Sequence, residues 1–475
     1  MRLSFFARYL LFAICFFGMA GLAEGSRDRP AFAVKSPDSI QPRFDWKVRD
    51  YAARCRGGDL SLRIKRAKGW TSKLSGRDRR RSGYVARTRL DEGQAVRVNF
   101  RLKRRNAKNR KKNFWIRCLP DDLPSAAFER VRPGGPRLFT IGRARYAMVY
   151  GRNGVPVWWY RVENSAADVK ILTDGTIAWN NNSAGFGGGE IKIRSLSGRL
   201  LREIAAEGVA DIHDVQLLPN GNYLYAEVQN LRSGVDLTGF GGPSDAITQA
   251  SQIREATPQG DVVWAWNTGD HTSLDETPQR WWSQLTRRSP LSYDISHWNA
   301  VEADGRFIYL SFRHLDAVYK VDRVSGEVIW KLGGTETPKS LKILNDPNGE
   351  DLLGGPHDVR VQSNGSITVF DNRALLPDPT PRAVRYRINE VAGTARLIES
   401  VEDREVPPAP TGGSARRLPS KEWLVSWGDT GIIGAYDKAG RPIYRLHALS
   451  YRANPVPDGT VGVAELRRAM DRMHR

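Results

Sequence analysis

Hydrophobic and polar residues alternate with a period of two along much of this chain. Stretches such as 84–88 and 96–100, and many more between residues 135 and 450, place apolar side chains at every second position. Such alternation is typical of half-buried β-strands. Asn-Gly and Asp-Gly pairs separate several of the stretches, and both pairs adopt the positive backbone dihedrals that a tight hairpin requires. The pattern therefore predicts an all-β protein built from short antiparallel strands.

The stretches between residues 135 and 450 form a repeat of four strands. The most complete copy is 301–334, and other copies begin at 169, 215, 359 and 415. An incomplete copy at 146–161 needs one more strand, which the end of the chain could supply. Six units of four antiparallel strands are typical of a β-propeller. We therefore predict a six-bladed β-propeller over residues 135–450, with a pair of packed sandwiches as the less favoured alternative.

The sequence outside the repeat divides into three segments. Residues 1–23 have the basic start, apolar run and small-residue end of a secretory signal peptide, and the apolar run is short for a membrane anchor. Residues 40–122 form a separate module with alternating stretches and two cysteines, Cys55 and Cys118. In an exported chain such a pair favours one disulfide, so we predict a small disulfide-bridged β-sandwich. The spacing in 460–475 predicts a C-terminal helix outside the ring.

Positive charge is concentrated in one part of the chain. Residues 41–120 contain 26 Lys and Arg against 6 Asp and Glu, a net charge of +20, and the whole chain carries +21. Such a surface either attracts an anionic cell-envelope polymer or is a solvated face, and we weigh the two equally. Aromatic residues that would stack on bases are sparse there, so no nucleic acid is expected. With no transmembrane segment in the mature chain, we expect a secreted, periplasmic or cell-envelope protein.

Three of the seven histidines occupy the same position in the repeat. His213, His297 and His357 each lie eight residues before a turn glycine. In a propeller, residues at one repeat position form a ring around the axis, so these side chains should meet at one mouth of the central channel. The equivalent positions of two other copies are Ala167 and Gly412, so the fold does not itself require histidine. We therefore predict a functional site.

Two more polar residues belong to this predicted site. Asn299 follows His297 by two positions, so both side chains face the same way on a strand. Arg313 lies on the next strand among apolar residues, where an arginine usually has an anion or a carboxylate as its partner. Three neighbours alternate away from the site and are expected to be structural: Asp214, His314 and Asp358.

Three imidazoles, an amide and a guanidinium fit two kinds of chemistry. Three histidines and a water could bind zinc, but no acidic residue is placed to act as the base, and Arg313 beside a dication is unfavourable. In the other chemistry, a neutral histidine is a covalent nucleophile and the other groups hold the oxygens of a sulfuryl or phosphoryl group. The glycine-rich segments 185–190 and 239–243 lack the lysine and helix of a nucleotide-binding loop. We therefore expect group transfer with no metal and no cofactor.

The segments that carry these residues resemble one family. HDVQLLPNG (213–221), HWNAVEADG (297–305), SFRHLDAVYKVDRVSGEVIWKLGG (311–334) and PHDVRVQSNGSITVFDN (356–372) are similar to segments of the arylsulfotransferases, a family of secreted six-bladed propellers. The resemblance covers about residues 135–447. It implies transfer of a sulfuryl group from an aryl sulfate ester to a phenolic acceptor, through a sulfohistidine intermediate and without a nucleotide sulfate donor.

The resemblance also implies roles for individual residues. His357 matches the histidine that becomes transiently sulfated, and four residues match those that hold the sulfuryl group and assist the departing phenol: His213, His297, Asn299 and Arg313. Thr411 or Ser414 is expected to supply a hydroxyl group near them. The implied partners are small aryl sulfates and phenols. Trp281 and Trp282 lie in the long connection between two copies, where they either form a lid over the phenol or pack as ordinary loop residues.

Three functions follow from these observations. The first, which we favour, is a secreted aryl-sulfate sulfotransferase. The second is a non-catalytic propeller that binds anionic ligands and is anchored to the envelope by its basic module. The third is a metal-dependent lyase or hydrolase that uses the three histidines.

Overall fold

The computed structural model describes residues 29–34, 40–102, 110–182, 189–204, 209–285, 292–348 and 353–473. The predicted signal peptide lies outside these residues. Regular structure in the described part of the chain is almost entirely β-sheet, which confirms the prediction of an all-β protein. No helix of the described residues is long and apolar enough to cross a membrane.

The N-terminal module consists of two sheets around one hydrophobic core. Its strands are β1 (Ala31–Val34), β2 (Asp50–Arg54), β3 (Asp59–Lys65), β4 (Trp70–Leu74), β5 (Tyr84–Arg89), β6 (Ala95–Leu102) and β7 (Arg110–Leu119). One sheet has the order β1-β3-β5 and the other the order β2-β7-β6-β4. Alternate residues of both sheets point into the shared core, since successive side chains of a strand lie on opposite faces. The predicted disulfide is present between Cys55 and Cys118, whose Cα atoms lie 5.5 Å apart.

The other described residues contain twenty-seven strands, two α-helices and a few short 3-10 turns. The strands are β8 (Ala127–Arg130), β9 (Leu138–Arg143), β10 (Tyr146–Gly151), β11 (Val155–Arg161), β12 (Ser165–Ile171), β13 (Ile177–Asn182), β14 (Gly189–Arg194), β15 (Leu200–Ile204), β16 (Val209–Leu217), β17 (Tyr223–Val235), β18 (Ala246–Ala256), β19 (Val262–Asn267), β20 (Tyr293–Asp294), β21 (Trp298–Asp304), β22 (Phe307–Phe312), β23 (Ala317–Asp322), β24 (Val328–Gly333), β25 (Lys342–Leu344), β26 (His357–Val361), β27 (Ile367–Asp371), β28 (Arg382–Asn389), β29 (Thr394–Val401), β30 (Ser414–Arg417), β31 (Trp423–Ser426), β32 (Ile432–Tyr436), β33 (Pro442–His447) and β34 (Ala453–Pro455). The helices are α1 (Gln279–Leu285) and α2 (Val463–Asp471).

Most of these strands fall into groups of four antiparallel neighbours. The groups are β34-β9-β10-β11, β12-β13-β14-β15, β16-β17-β18-β19, β21-β22-β23-β24, β26-β27-β28-β29 and β30-β31-β32-β33. They follow the repeat seen in the sequence, with the turn glycines at positive φ between the first and second strands, as at Gly221 and Gly365. The hydrophobic cores lie between neighbouring groups.

The strands just before and just after the six groups' own segments complete this arrangement. Strand β34 pairs with β9, and β8 pairs with β33, the outer strand of the last group. The first strands of the groups contact one another in cyclic order: β12 with β16, β16 with β21, β21 with β26, β26 with β30, β30 with β34, and β34 with β12. These six inner strands therefore surround a common centre, and residues at one repeat position are brought together there.

Helix α2 joins the N-terminal module to the repeat. Its buried residues Leu466 and Met470 belong to a core cluster with residues of β11, and the Met470 sulfur lies 3.4 Å from the backbone nitrogen of Trp159. Toward the module, Arg467 makes a bidentate ion pair with Asp50, with both N–O distances 2.6 Å. The helix predicted at 460–475 occupies Val463–Asp471 and lies outside the inner strands.

Candidate active site

The three histidines of the repeat meet at one end of the inner strands. His213 lies within β16, His297 immediately before β21, and His357 is the first residue of β26. The rings of His213 and His297 are 5.2 Å apart, edge to face. The ring of Tyr451, just before β34, lies 5.5 Å from that of His213 and 6.4 Å from that of His357. The structure therefore brings the predicted cluster together and adds a tyrosine to it.

Aspartates orient His213 and His297. The Asp211 carboxylate contacts Nδ1 of His213 and accepts a hydrogen bond from its backbone N–H at 2.8 Å. In the same way, Asp294 lies 2.5 Å from Nδ1 of His297 and accepts from its backbone N–H at 2.8 Å. A carboxylate at Nδ1 requires the proton there, so Nε2 is the other position at which each ring exchanges a proton.

Burial and charge oppose each other at the His297–Asp294 pair. Burial lowers the pKa of His297, although the Asp294 carboxylate works against this shift. Burial would raise the pKa of Asp294, but His297 more than offsets that and the pKa of the carboxyl is lowered. The resting pair is therefore a neutral imidazole beside an ionised carboxylate, able to take up a proton at Nε2.

His357 has different partners. Its Nδ1 faces two acceptors, the Gly355 carbonyl at 2.9 Å and the Asn372 side-chain oxygen at 2.8 Å. The Asn372 amide is fixed in that orientation because its nitrogen donates to the carbonyls of Ala409 and Gly412, at 2.6 and 2.9 Å. Nδ1 must therefore carry the proton, and the lone pair of the neutral ring is on Nε2.

The Nε2 atom of His357 is buried and has no hydrogen-bond partner. Burial holds the pKa of His357 well below its usual range, and the charges of Arg313 and Arg452 lower it further. The ring is therefore neutral near neutral pH. Since Nδ1 of this ring is fixed by two acceptors, the unpaired Nε2 is available to a group that arrives from outside.

Two glycines allow the backbone to approach closely in front of His357. A Cβ at Gly354 would lie 2.9 Å from the backbone of Arg373 and Ala374. Gly355 has a φ of 62°, and a Cβ there would come within 3.4 Å of Trp281 and Arg313. Larger residues at these positions would displace the carbonyl that fixes Nδ1 of His357.

Arg313 is held by three groups beside this site. Its guanidinium carbon lies 4.5 Å from the ring centre of Trp281, Nη1 donates to Nε2 of His314 at 2.8 Å, and Nη2 donates to the Pro410 carbonyl at 3.2 Å. Trp281 is fully buried. This buried ring packs against the guanidinium of Arg313 and holds it in place, which does not fit a lid that opens and closes.

His314 does not point away from the site as its alternation suggested. Its ring centre lies 4.7 Å from that of His297 and its Nδ1 donates to the Asp294 carbonyl at 2.8 Å. The expectation failed because β22 ends at Phe312, so strand alternation does not continue through Arg313 and His314. Burial is the main reason that the pKa of His314 falls to about 3, and the ring is neutral.

Asn299 is a second fixed amide. It is fully buried, its Nδ2 donates to the Pro356 carbonyl at 2.8 Å, and its Oδ1 accepts from Ser311 at 2.6 Å. Since Pro356 immediately precedes His357, Asn299 ties the strand of one histidine to the strand of another. One hydrogen of its amide nitrogen remains beyond the bond to Pro356.

One group of the described residues has the composition of a metal site: Asp294, His297 and His314. Their ligand atoms lie within 4.8 Å of one another. However, both ring nitrogens of His314 already have partners, and the one at Nε2 is the guanidinium of Arg313, which would repel a cation. We therefore do not assign a metal to it.

The two candidate hydroxyl residues differ in their surroundings. Ser414 Oγ donates to the Ala453 carbonyl and accepts from the Ala453 N–H, both at 3.1 Å, so it is used to hold β34. Thr411 is half-buried and follows Pro410, whose carbonyl accepts from Arg313. Of the two, Thr411 is the one next to a site residue.

Beyond the histidines, the centre of the inner strands holds paired charges. Four acidic and four basic side chains contact one another there: Asp168, Asp214, Asp358 and Glu302 with Lys170, Arg360, Arg416 and Arg452. Asp214 and Asp358 were expected to be structural hydrogen-bonding residues, and they do accept from backbone N–H groups, Asp214 from Val215 and Val301 and Asp358 from Ala415. They join this network because the register of β16 and of β26 shifts beside each histidine, and Asp358 has a φ of 60°.

Sequence reasoning missed five residues that contact the site: Asp211, Asp294, Asn372, Tyr451 and Arg452. A signal existed for the first two, because each precedes its histidine in a similar short segment, DIH at 211–213 and DISH at 294–297. His357 is instead preceded by Gly-Gly-Pro, so the difference between it and the other two is readable in the sequence. Asn372, Tyr451 and Arg452 are brought in by the tertiary fold.

The solved structures that are similar to this chain share little sequence with it, and their TM-scores are below 0.5. A protein of unknown function from Bacteroides caccae has 13% sequence identity and a TM-score of 0.44, with 68% of this chain and 100% of that chain covered. A catalytically inactive virginiamycin B lyase from Staphylococcus aureus, with quinupristin, has 10% identity and a TM-score of 0.36 over 68% of this chain and 100% of that chain. The Cps50 (Swd1) β-propeller domain of Myceliophteria thermophila has 9% identity and a TM-score of 0.37, covering 67% and 89%. No curated protein matches the chain.

The sequence itself matches one protein family. The match is to the arylsulfotransferase (ASST) family and covers residues 168–448. This span includes His213, His297, Asn299, Arg313 and His357, and it is more than half of the chain. The chain therefore belongs to the arylsulfotransferase family.

Proposed function

We propose that this protein moves a sulfuryl group from an aryl sulfate ester to a phenolic acceptor, through a sulfohistidine at His357 and without a nucleotide sulfate donor. One observation carries the proposal. Nδ1 of His357 faces two acceptors, which puts the lone pair on Nε2, and Nε2 is buried without a partner. A neutral imidazole with a dry, unpaired nitrogen suits a covalent nucleophile.

The proposed architecture is a six-bladed β-propeller over residues 135–450, with a small β-sandwich over residues 40–122 in front of it. The six groups of four strands and the cyclic contacts of their inner strands support the propeller. In this architecture the histidines lie at one mouth of the central channel, and the paired charges fill the channel below them.

The sulfuryl oxygens need positive charge and hydrogen-bond donors. Arg313 supplies charge at a position fixed by Trp281 and Pro410. Asn299 supplies the remaining hydrogen of its amide, and Thr411 is the candidate for a hydroxyl contact. These donors are oriented before substrate arrives, so they stabilise charge on the sulfuryl oxygens with little rearrangement.

The two steps balance in atoms and protons. In the first, Nε2 of His357 forms the N–S bond while the S–O bond to the donor phenol breaks, and the electron pair leaves on the phenol oxygen. That oxygen takes a proton from the ring of His213 or His297, which has taken up a proton from solvent at Nε2 before the donor reacts. In the second, the neutral ring accepts the proton of the acceptor phenol as its oxygen attacks sulfur, and His357 leaves unmodified. The aspartates at Nδ1 stabilise the protonated ring before the first step and after the second.

We propose that this reaction takes place outside the cytoplasm. The disulfide between Cys55 and Cys118 supports an oxidising compartment. The signal peptide predicted at residues 1–23 fits export, and the compartment reached after export is a secreted, periplasmic or envelope location.

The other two functions are less well supported. A non-catalytic propeller that binds anions has no use for a nucleophile whose tautomer is fixed by two acceptors, and membership of a transferase family favours catalysis. A metal-dependent reaction conflicts with Arg313, which donates to His314 in the group that most resembles a metal site.

The test is to trap the intermediate. The protein is incubated with 4-nitrophenyl sulfate and no acceptor, and its peptides are analysed by mass spectrometry at alkaline pH, because the N–S bond hydrolyses in acid. We expect one sulfuryl group on His357 and a burst of one equivalent of nitrophenol. His357→Ala should abolish both and lower kcat/KM by about 10⁴-fold or more.

His271→Ala is the matched control. This histidine is exposed and stacks on Trp266, with ring centres 4.6 Å apart. It follows β19, the outermost strand of its group, whereas the clustered histidines lie on or beside the innermost strands. The adduct and the burst should be retained in it. A His357→Ala variant that is folded and still transfers the sulfuryl group would disprove the proposal.

A further inference from the structure

The N-terminal module has a sheet face that carries cations at its outer positions. Along β6, Val96, Val98 and Phe100 point into the core, while Arg97 and Arg101 point outward. This is the alternation of a strand with one face buried. The outer face of the β2-β7-β6-β4 sheet therefore carries two arginines on β6, one of its two central strands.

Neighbouring strands add cations to the same face. Lys111 of β7 lies opposite Arg101, and Lys73 of β4 lies opposite Asn99. Lys73, Arg97 and Lys111 are exposed and Arg101 is half-buried. We call Lys73, Arg97, Arg101 and Lys111 the basic face.

Polar side chains lie among these cations. Asn99 is opposite Asn113 and donates to its side-chain oxygen at 2.7 Å. Arg79 reaches over the sheet and donates to Asn99 at 2.6 Å and to the hydroxyl of Thr71 at 3.1 Å. The face thus combines fixed hydrogen-bonding groups with charge.

The positive charge of the face is not compensated by the module. Among the described residues of β1 to β7, Arg117 is the cation that forms an ion pair with a carboxylate, and its partner is Asp471 of α2. Burial lowers the pKa of Arg79, and the nearby charge of Arg101 lowers it further. Like charges held this close repel one another, and a polyanion would relieve that repulsion.

The chemistry of the face favours a glycan over a nucleic acid. Its aromatic residue, Trp115, is covered by Arg467, whose guanidinium carbon lies 3.7 Å from the ring centre. No other aromatic side chain lies on the outward positions of the described parts of β4, β6 and β7, so the face lacks the stacking platform that single-stranded nucleic acid uses. Amide and hydroxyl groups between cations suit the hydroxyls and carboxylates or sulfates of a sugar chain.

We propose that the basic face binds an acidic polysaccharide and thereby holds the enzyme on an anionic matrix. The cations lie on three neighbouring strands, so several acidic sugars of one extended chain can be contacted at once. This binding is independent of the sulfuryl transfer proposed for the histidine cluster, which lies in the other part of the molecule.

The test uses the full chain and two variants of equal charge. One carries K73Q, R97Q, R101Q and K111Q on the basic face. The other carries R63Q, K65Q, R87Q and R89Q, which remove four exposed cations from the outer face of the β1-β3-β5 sheet. Asp59 lies opposite Arg89 on that second face, so its cations are partly compensated. Retention on immobilised polygalacturonate is measured as a function of salt.

We expect the wild type and the second variant to be retained, and the first variant to bind at least about tenfold more weakly. Equal weakening in both variants would reduce the effect to net charge and overturn the proposal. Tighter binding to a DNA duplex than to polygalacturonate, lost in the first variant, would assign the face to nucleic acid instead. Thermal unfolding of both variants checks that the removed side chains left the fold intact.

Discussion

The histidine cluster and the charged interior next to it are both buried, yet they are built on opposite principles. In the interior, each acid contacts at least one base, as where Asp214 meets Lys170 at 2.6 Å and Arg360 at 2.8 Å. In the histidine cluster, His357 keeps an unpaired nitrogen, and Arg313 brings a positive charge beside neutral rings. Buried acids and bases in contact hold the inner strands together, whereas Nε2 of His357, which contacts no partner, is available to a ligand.

The two regions share one residue. Arg452 lies within the interior, with Nη1 3.4 Å from Asp214; Nη1 also donates to the His213 carbonyl at 3.0 Å, and Nη2 donates to the Asn299 carbonyl at 2.5 Å. Its charge also lowers the pKa of His357. A single guanidinium therefore fixes the backbone positions of His213 and Asn299 and favours the neutral form of His357.

Removing that guanidinium should have the largest effect on stability. Arg452→Met leaves Asp168, Asp214 and Asp358 with fewer partners in a fully buried site, which we expect to cost about 3–5 kcal/mol of the free energy of unfolding. Urea denaturation followed by tryptophan fluorescence measures it. Arg441→Met is the matched control, because Arg441 pairs with Asp437 at 2.8 Å but is largely exposed and should cost about 1 kcal/mol or less.

If Arg452→Met were as stable as Arg441→Met, the interior charges would not be a structural network, and the contrast with the histidine cluster would lose its basis. If Arg452→Met were destabilised but its folded fraction kept full activity, the interior charges would be needed for folding and not for catalysis.

The next prediction changes the site and leaves the interior intact. Asn372→Asp places a carboxylate at Nδ1 of His357, which makes this histidine resemble His213 and His297. A carboxylate favours the protonated ring, so the pKa of His357 should rise from its lowered position, and the neutral nucleophile should be lost as the pH falls. Below the new pKa, kcat/KM should fall about tenfold for each pH unit.

The control for that prediction is Asn372→Leu, which removes the acceptor without adding charge. It should lower kcat at every pH and add no acid limb to the profile. Both variants lose the hydrogen bonds of the amide to the carbonyls of Ala409 and Gly412, which should cost about 1–3 kcal/mol each, so urea denaturation must show that each is folded under the assay conditions. An Asn372→Asp enzyme with the wild-type pH profile would mean that His357 does not act as the neutral nucleophile.

The central residues of this site could be predicted from the sequence because three of them occupy the same position of the repeat. His213, His297 and His357 share a position, Asn299 is inferred from alternation with His297, and Arg313 is inferred from the apolar residues around it. What the sequence could not predict depends on departures from periodicity. The register shifts in β16 and β26 turned Asp214 and Asp358 toward the centre, and the end of β22 turned His314 back toward His297. Tyr451 and Arg452 lie at the site only because β34 pairs with β9 and completes the first group of strands. This pairing joins distant parts of the chain, so no local pattern predicts it.

The smallest effect concerns the tryptophans, which the sequence left between two roles. Trp281 packs under Arg313 and against His314, whose ring centre is 4.9 Å away, while Trp282 contacts Phe240 at 4.9 Å and donates to the Thr277 carbonyl at 3.1 Å. Trp281→Leu removes a cation–π contact of about 0.5–2 kcal/mol, so KM for the aryl sulfate should rise by about 2- to 30-fold. Since Arg313 holds the sulfuryl group in our proposal, the rise should be the same for small and bulky donors. Trp282→Leu should leave KM unchanged. A rise confined to bulky phenols, in either variant, would show that these tryptophans line the acceptor site, and Arg313 would then owe its position to His314 and Pro410 alone.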